Sequence, residues 1–290
     1  MLSTAPSNTT APTQYVTAGD NTYAYRQFGS GRGHPLLFLQ HFTGTLDGWD
    51  PAVTDPIAAG RSVILFESAG IGRSSGKVPE TVAGMADHAL KFVEAIGLAQ
   101  VDVLGFSLGG MVVQVMALKR PALLRRIILT GTGPEGGVGV AMDRPELLKI
   151  FVDQNMPMSE KLLKLFFETT ETSQSAGHRF VERLARRTRD KDTPATAEAA
   201  GAQLAAMAKW AKSGGKPYAD LKKITQPVLV TNGNNDTMIP TVNSFTLSEH
   251  LTNAQLIIYP DSGHGALFQH AGAFTSHVSE FLDRDFDYRN

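Results

Sequence analysis

Ser107 stands at the centre of Gly105-Phe106-Ser107-Leu108-Gly109, between an apolar run at 101–104 and a helix-forming run at 111–118. A serine hydroxyl is a poor nucleophile at neutral pH. It becomes reactive when a base lies within hydrogen-bond reach and a third group fixes the tautomer of that base. Between a strand and a helix, G-x-S-x-G forms a nucleophile elbow: the turn is so tight that serine takes strained backbone angles and its Oγ stands above the sheet. Glycine fits two residues to either side because the strand and helix backbones approach too closely there for a Cβ. The five letters alone arise by chance in roughly one chain in five to ten of this length, so the flanking elements carry the weight.

A base and an acid must follow. In this type of fold the chain order is serine, acid, histidine, each on a loop beyond the carboxyl end of a strand. Asp236 follows the apolar run 228–230 in Thr231-Asn232-Gly233-Asn234-Asn235-Asp236, and His264 follows the run 256–259 in Pro260-Asp261-Ser262-Gly263-His264-Gly265. His264 alone is flanked by glycines directly after a core strand. His88, His277 and His270 fall in helical patterns, and His34, His178 and His250 in turn or surface contexts. Asp261 and Glu67 are the fallback acids. Asp102 is near Ser107 in sequence but begins its strand at the far end, roughly 15 Å away by strand rise. Acyl transfer also needs backbone donors for the oxyanion. One is the N–H of Leu108, directly after the nucleophile, and the loop Gln40-His41-Phe42-Thr43-Gly44 beyond the apolar run 36–39 is the expected source of the second.

The elements that must position these groups are legible as a pattern. Runs at 15–17 and 22–26 flank the turn-rich Gly19-Asp20-Asn21 and predict an antiparallel hairpin. Short apolar runs recur at 36–39, 63–66, 101–104, 127–129, 228–230 and 256–259, each about the length of a fully buried strand. Helical patterns lie between several of them. In 81–96, Val82, Met85, Ala86, Ala89, Leu90 and Val93 share one face. Alternating strands and helices predict a parallel sheet covered on both faces, with the hairpin added antiparallel at one edge. The chain has 290 residues, 42% hydrophobic and 19% charged, which is ample for a packed α/β core and too apolar for disorder.

The alternation breaks between Gly133 and Pro217. Helical candidates at 144–155, 159–169, 177–189 and 194–212 predict a helical insertion, a cap over residues 134–215, between core segments 14–133 and 216–290. Met156, Met158, Leu162, Phe166, Phe167, Met207 and Trp210 are its candidate pocket walls, although at helical spacing such residues more often pack the cap on the core. His41, Phe166 and Trp210 are the expected substrate contacts. Arg179, Arg183, Arg186, Arg187, Arg189 and Lys191 form a basic run tempered by Glu182, Asp190 and Asp192, and it reads as a solvated helix face. Residues 1–13, rich in Ser, Thr, Pro and Ala, read as a flexible tail.

The chain resembles the α/β-hydrolase superfamily from about residue 15 to 282. The likeness is carried by LLFLQHFTGTLDGWDP at 36–51, LFESAGIGRSSG at 65–76, LGFSLGGMVVQVMAL at 104–118, NGNNDTMIP at 232–240 and PDSGHG at 260–265. It is most similar to the lid-bearing serine esterase and cofactor-free haloperoxidase branch. The resemblance implies an eight-stranded, mostly parallel sheet with a helical cap. It also implies Ser107, Asp236 and His264 as the triad, and Phe42 as the second oxyanion donor. Two positions depart from the pattern. Many relatives have His-Gly before the oxyanion residue, where this chain has Gln40-His41, so its loop must depend on side-chain hydrogen bonds from one of these. Glu67 replaces the Asp of D-x-x-G-x-G-x-S and reads as part of a tight structural loop.

The expected reaction is hydrolysis of a small to medium, largely apolar carboxylic ester or lactone through an acyl-enzyme, with perhydrolysis as a side reaction where hydrogen peroxide intercepts that acyl group. Two alternatives use the same triad. One is base catalysis without an acyl-enzyme, as in lyases or cofactor-free oxygenases, and the other is a hydrolase-like small-molecule receptor. Serine at position 107 argues against epoxide and haloalkane hydrolysis, which need a carboxylate nucleophile. No metal or organic cofactor is called for, and the absence of cysteine excludes thiol catalysis and thiolate metal sites. A net charge of -1 gives no reason to expect nucleic acid as a partner. Without an apolar stretch long enough to span a bilayer, the expected setting is cytoplasmic. Oligomeric state is not readable.

Overall fold

The computed structural model describes residues 7–140, 144–153, 155–212, 215 and 218–284. Its centre is an eight-stranded sheet in the order β1-β2-β4-β3-β5-β6-β7-β8. The strands are β1 (Gln14–Ala18), β2 (Asn21–Gly29), β3 (Leu36–Leu39), β4 (Ser62–Phe66), β5 (Val101–Phe106), β6 (Leu124–Thr130), β7 (Val228–Gly233) and β8 (Ala254–Tyr259). β1 and β2 form the antiparallel hairpin, β2 runs antiparallel to β4, and all other neighbours are parallel. Every residue of β3, β5 and β7 is buried, because helices cover both faces of the sheet. β8, at the open edge, is only partly covered.

Strand order reverses around β3: the chain goes from β3 outward to β4, then back across to β5 on the other side. Ligands of open α/β sheets bind at such a switch point, beyond the carboxyl ends of the strands. Leu39 pairs with Gly105, so the loop after β3 and the turn after β5 leave the sheet side by side.

The core helices are α1 (Pro51–Ala58), α2 (Val82–Ala95), α3 (Leu108–Lys119) and, near the end of the chain, α8 (Val242–His250), α9 (Ala266–Gln269) and α10 (Ala271–Asp283). Asp50 caps α1 by accepting from Ala52 N, with Pro51 at the first helical position, and Thr81 caps α2 by accepting from Gly84 N. α3 is buried on nearly all sides, as an all-round apolar helix must be. Between β6 and β7 the described residues hold helices and no strand: α4 (Pro145–Val152), α5 (Met158–Phe166), α6 (Glu171–Leu184) and α7 (Ala197–Trp210). Of the expected end of the insertion at 215, only Gly215 and the residues from 218 onward are described.

Two expectations need correction. Residues 7–13 do not form a flexible tail: Asn8 is 3% exposed and its Nδ2 donates to Trp49 O and Thr54 Oγ1, while Ala11 is fully buried. Residues 1–6 lie outside the described residues. Nor is the basic run wholly a solvated face. Arg183 forms a bidentate pair with Asp50, and Arg187 is buried, donating to the carbonyls of Asn8 and Ala11. These partners are remote in sequence, and helical spacing alone carries no sign of them.

Arg187 belongs to a buried ionic network that ties the segment after α6 to the core. Arg26 is fully buried and pairs with Asp47 at 2.7 Å and Asp192 at 2.8 Å. Asp47 and Asp192 accept from each other's backbone N–H at 2.9 and 2.7 Å. Beside them Glu67 accepts from the N–H of Leu46 and Arg73. Burial and the charge of Asp192 still push its carboxyl up to about 8, against the opposing pull of those N–H groups and Arg26. The expected structural loop is thus present, built around a buried acid. Glu67 keeps its proton in the folded state well above the value it has in an unfolded chain. The folded state therefore binds the extra proton, and stability falls as pH rises from about 5 to about 8. Thermal unfolding of wild type and Glu67→Gln across that range checks this: the variant should show a distinctly flatter decline. Equal slopes would refute it.

Candidate active site

At Ser107 the backbone takes φ 56° and ψ −120°, outside the regions that L-residues favour. Such a conformation costs on the order of 1–3 kcal/mol and persists only when the surroundings over-determine it. Here Ser107 N–H donates to Thr130 O at 3.0 Å. Ser107 O accepts from Gly110 N–H at 2.9 Å and Thr132 Oγ at 2.7 Å. The expected close crossing is present. A Cβ on Gly105 would lie 2.5 Å from Gly109 O, and one on Gly109 would lie 2.6 Å from the Leu39 carbonyl carbon. The second contact presses α3 directly on the start of the oxyanion loop.

His264 Nδ1 lies 2.7 Å from Asp236 Oδ2, and both side chains are buried. A carboxylate oxygen accepts, so Nδ1 carries the proton and Nε2 presents its lone pair. The other carboxylate oxygen, Oδ1, accepts from Met238 N–H at 2.8 Å and Ile239 N–H at 3.0 Å, which fixes the orientation of the acid. The two loops are sewn together: Asn234 N–H donates to Tyr259 O, and Asn235 N–H to Ser262 O. The His264 ring packs on Phe106, centroids 4.9 Å apart, and beside Gly131, which places it next to the elbow. Among the described residues no hydrogen bond joins Ser107 Oγ to His264, a link that in unliganded sites often tightens only when substrate is bound. The fallback acids lie elsewhere. Asp261 accepts from Thr170 Oγ, Glu67 belongs to the ionic network, and Asp102 pairs with Arg125 at the other end of β5.

The oxyanion loop is braced as its departure from the usual pattern requires. Gln40 Oε1 accepts from His41 N–H, and Gln40 Nε2 donates to Thr45 O, both at 3.0 Å. His41 Nδ1 donates to Phe42 O at 2.8 Å. Burial holds His41 down at about 4, opposed by that hydrogen bond and reinforced by the nearby His264, so His41 is neutral at physiological pH. Neither Phe42 N–H nor Leu108 N–H has an acceptor among the described residues, as an oxyanion site requires.

Of the expected substrate contacts, the structure brings His41 and Phe166 to the triad but not Trp210. Phe166 packs edge-on against both His41 and His264, at centroid distances of 5.2 and 5.5 Å. Trp210 donates from Nε1 to Gly133 O and lines a cavity of about 610 Å³ between α2, α3 and α7, whose walls include no member of the triad. Met158 is 59% exposed. Sequence reasoning missed two features of the insertion. Phe166 O accepts from Gly265 N–H at 2.7 Å, and Glu168 accepts from Asn235 Nδ2 at 3.0 Å, so one short stretch at the end of α5 holds both the histidine loop and the aspartate loop. A Cβ on Gly265 would sit 2.8 Å from that of Phe166, which explains the glycine after His264.

A family model described as the alpha/beta hydrolase fold matches residues 34–271. The chain belongs to that family. This α/β hydrolase is 26% identical over 261 residues to the 2-hydroxymuconate semialdehyde hydrolase of Pseudomonas sp. (strain CF600), across 87% of this chain and 88% of that protein. A solved alpha/beta hydrolase fold protein from Chitinophaga pinensis is 42% identical with a TM-score of 0.90, covering 96% of this chain and 99% of the other. The enol-lactonase from Burkholderia xenovorans LB400, 17% identical, shares the fold with a TM-score of 0.73 over 93% of this chain and 100% of its own.

Because Met238 and Ile239 N–H groups pin Oδ1, an asparagine at 236 must place its oxygen there and turn its NH₂ toward His264 Nδ1. That forces the wrong tautomer, with the proton on Nε2. In proton NMR, wild type should show a deshielded imidazole Nδ1 proton resonance, and Asp236→Asn should lose it while the fold is retained. Persistence of that resonance would refute the assignment.

Proposed function

We propose that this α/β hydrolase cleaves a small to medium, largely apolar carboxylic ester or lactone through an acyl-enzyme on Ser107. The observation that carries the reading is the pairing of a serine on a strained turn with the free N–H groups of Phe42 and Leu108, beside the His264–Asp236 pair. Ser107 Oγ attacks the carbonyl carbon as His264 Nε2 takes its proton. The carbonyl oxygen, now an anion, accepts from Phe42 and Leu108 N–H. Collapse expels the alcohol, which takes the proton back from His264. Water then gives a proton to His264 and attacks the acyl carbon, releasing the acid. Asp236 steadies the imidazolium in both halves. Hydrogen peroxide in place of water at the second half yields a peracid.

The surroundings favour an uncharged substrate. The rings around the triad are Phe106, Phe166 and the neutral His41, with Phe42 packed on Phe151 at 5.1 Å. The charge that bears on His41 is that of His264. The curated relative is named for a semialdehyde that carries a carboxylate, and a substrate of that kind asks for a cation at the site. In this chain Arg26, Arg183 and Arg187 are committed to carboxylates and carbonyls, and Arg144 donates to Met238 O, two residues from Asp236.

A serine-directed phosphonate should add mass to wild type and none to Ser107→Ala. Ester turnover should fall by about 10⁴ to 10⁶ in that variant. On a panel of esters, lactones and carboxylate-bearing C–C cleavage substrates, neutral apolar acyl groups should be turned over fastest. Labelling of Ser107→Ala, or a clear preference for the carboxylate-bearing compounds, would overturn the reading.

A further inference from the structure

The oxyanion loop has its own strained residue, Thr43, at φ 57°. The peptide joining Phe42 to Thr43 is held at both ends. Its carbonyl accepts from His41 Nδ1 at 2.8 Å, and its N–H donates to Gln203 Oε1 at 2.7 Å. One peptide earlier, His41 O accepts from Gly44 N–H at 3.0 Å. In a trans peptide the N–H points opposite to the C=O, so this bond turns Phe42 N–H outward from the turn. Gly109 presses on the same loop from below, through Leu39 and Gln40.

Three of these restraints come from the loop itself or from the elbow beneath it. Gln203 does not. It is 3% exposed and stands on α7, in the insertion between β6 and β7. Without it the half-buried Thr43 N–H lacks its acceptor, and the loop loses its one restraint from outside against relaxation of Thr43 from its left-handed angle, a change that rotates the adjoining Phe42 peptides.

We propose that Gln203 is a positioning residue that holds the oxyanion loop so that Phe42 N–H faces the carbonyl oxygen of the substrate. The insertion then has a part in catalysis as well as in substrate choice, since the loop it braces bears one of the two oxyanion donors. This rests on the acyl-transfer reading of Ser107. What Gln203 supplies is an acceptor, which predicts how substitutions rank: Gln203→Met fills the same space without accepting, and Gln203→Glu still accepts.

The test is steady-state hydrolysis of a neutral ester, together with the affinity of a trifluoromethyl ketone that forms a tetrahedral adduct. Loss of one oxyanion donor costs about 10² to 10³ in kcat, so displacing one should cost about tenfold to a hundredfold. Gln203→Met should show that fall in kcat with KM within about twofold, and a parallel loss of ketone affinity. Gln203→Glu should recover at least about threefold of the lost kcat. Wild-type kcat in a folded Gln203→Met would overturn the proposal, as would a Gln203→Glu no better than Gln203→Met, or a loss that lies wholly in KM. Ser107→Ala in the same assay separates the two levels. If it still hydrolyses the ester, the acyl-transfer reading fails and the proposal with it. If it is inactive while Gln203→Met is unimpaired, the proposal alone fails.

Discussion

Steric exclusion at the crossing of β5 and α3 is the constraint on which the rest of the molecule depends. No Cβ fits at Gly105 or Gly109, because the turn back from strand to helix brings Gly105 against Gly109 and Gly110, and Gly109 against the end of β3. That crowding drives Ser107 to positive φ, and the bonds from Thr130, Thr132 and Gly110 keep it there. The same contact decides where the oxyanion loop begins. Ser107 and the loop that bears Phe42 are therefore placed by one packing event, which in turn requires β3 and β5 to be neighbours.

Around this point the electrostatics divide sharply. The proposed triad sits among neutral rings, with burial keeping His41 uncharged beside the histidine that would gain and lose a proton. In such surroundings the Asp236 carboxylate is the natural partner of that developing charge, undiluted by water. A cluster of charged residues forms the network of Arg26, Asp47, Asp192 and Arg187, with the protonated Glu67 beside it. Breaking a buried pair of this kind costs about 3–5 kcal/mol, because a partner is left charged and dry. The network thus fastens the segment after α6 to the core without putting charge near the site. The insertion reaches the chemistry by other means, through the Phe166 carbonyl on the histidine loop, Glu168 on the aspartate loop and Gln203 on the oxyanion loop.

Much of this was legible in the amino-acid sequence because it is local. Period-two and period-3.6 patterns and short buried runs announce the strands and helices, and a glycine pair around a serine announces a backbone crossing wherever a strand precedes and a helix follows. The loops bearing Asp236 and His264 could be placed for the same reason, since each lies directly after a strand. The need for side-chain support in the Gln40-His41 loop also followed from the missing glycine. What lies between distant residues could not be read: the docking of Asn8 and Ala11, the burial of Arg187, the removal of Trp210 from the triad and the grip of Gln203 on Thr43.

By itself, then, the sequence determined the order of elements and the identity of the groups able to do chemistry, because both are encoded in spacing along the chain. The tertiary structure alone decided which carbonyl meets which N–H across the insertion and which ring meets which histidine. It also decided which buried acid keeps its proton. These depend on separations in space between residues as far apart as Thr43 and Gln203, and on the exclusion of water that only the packed chain provides.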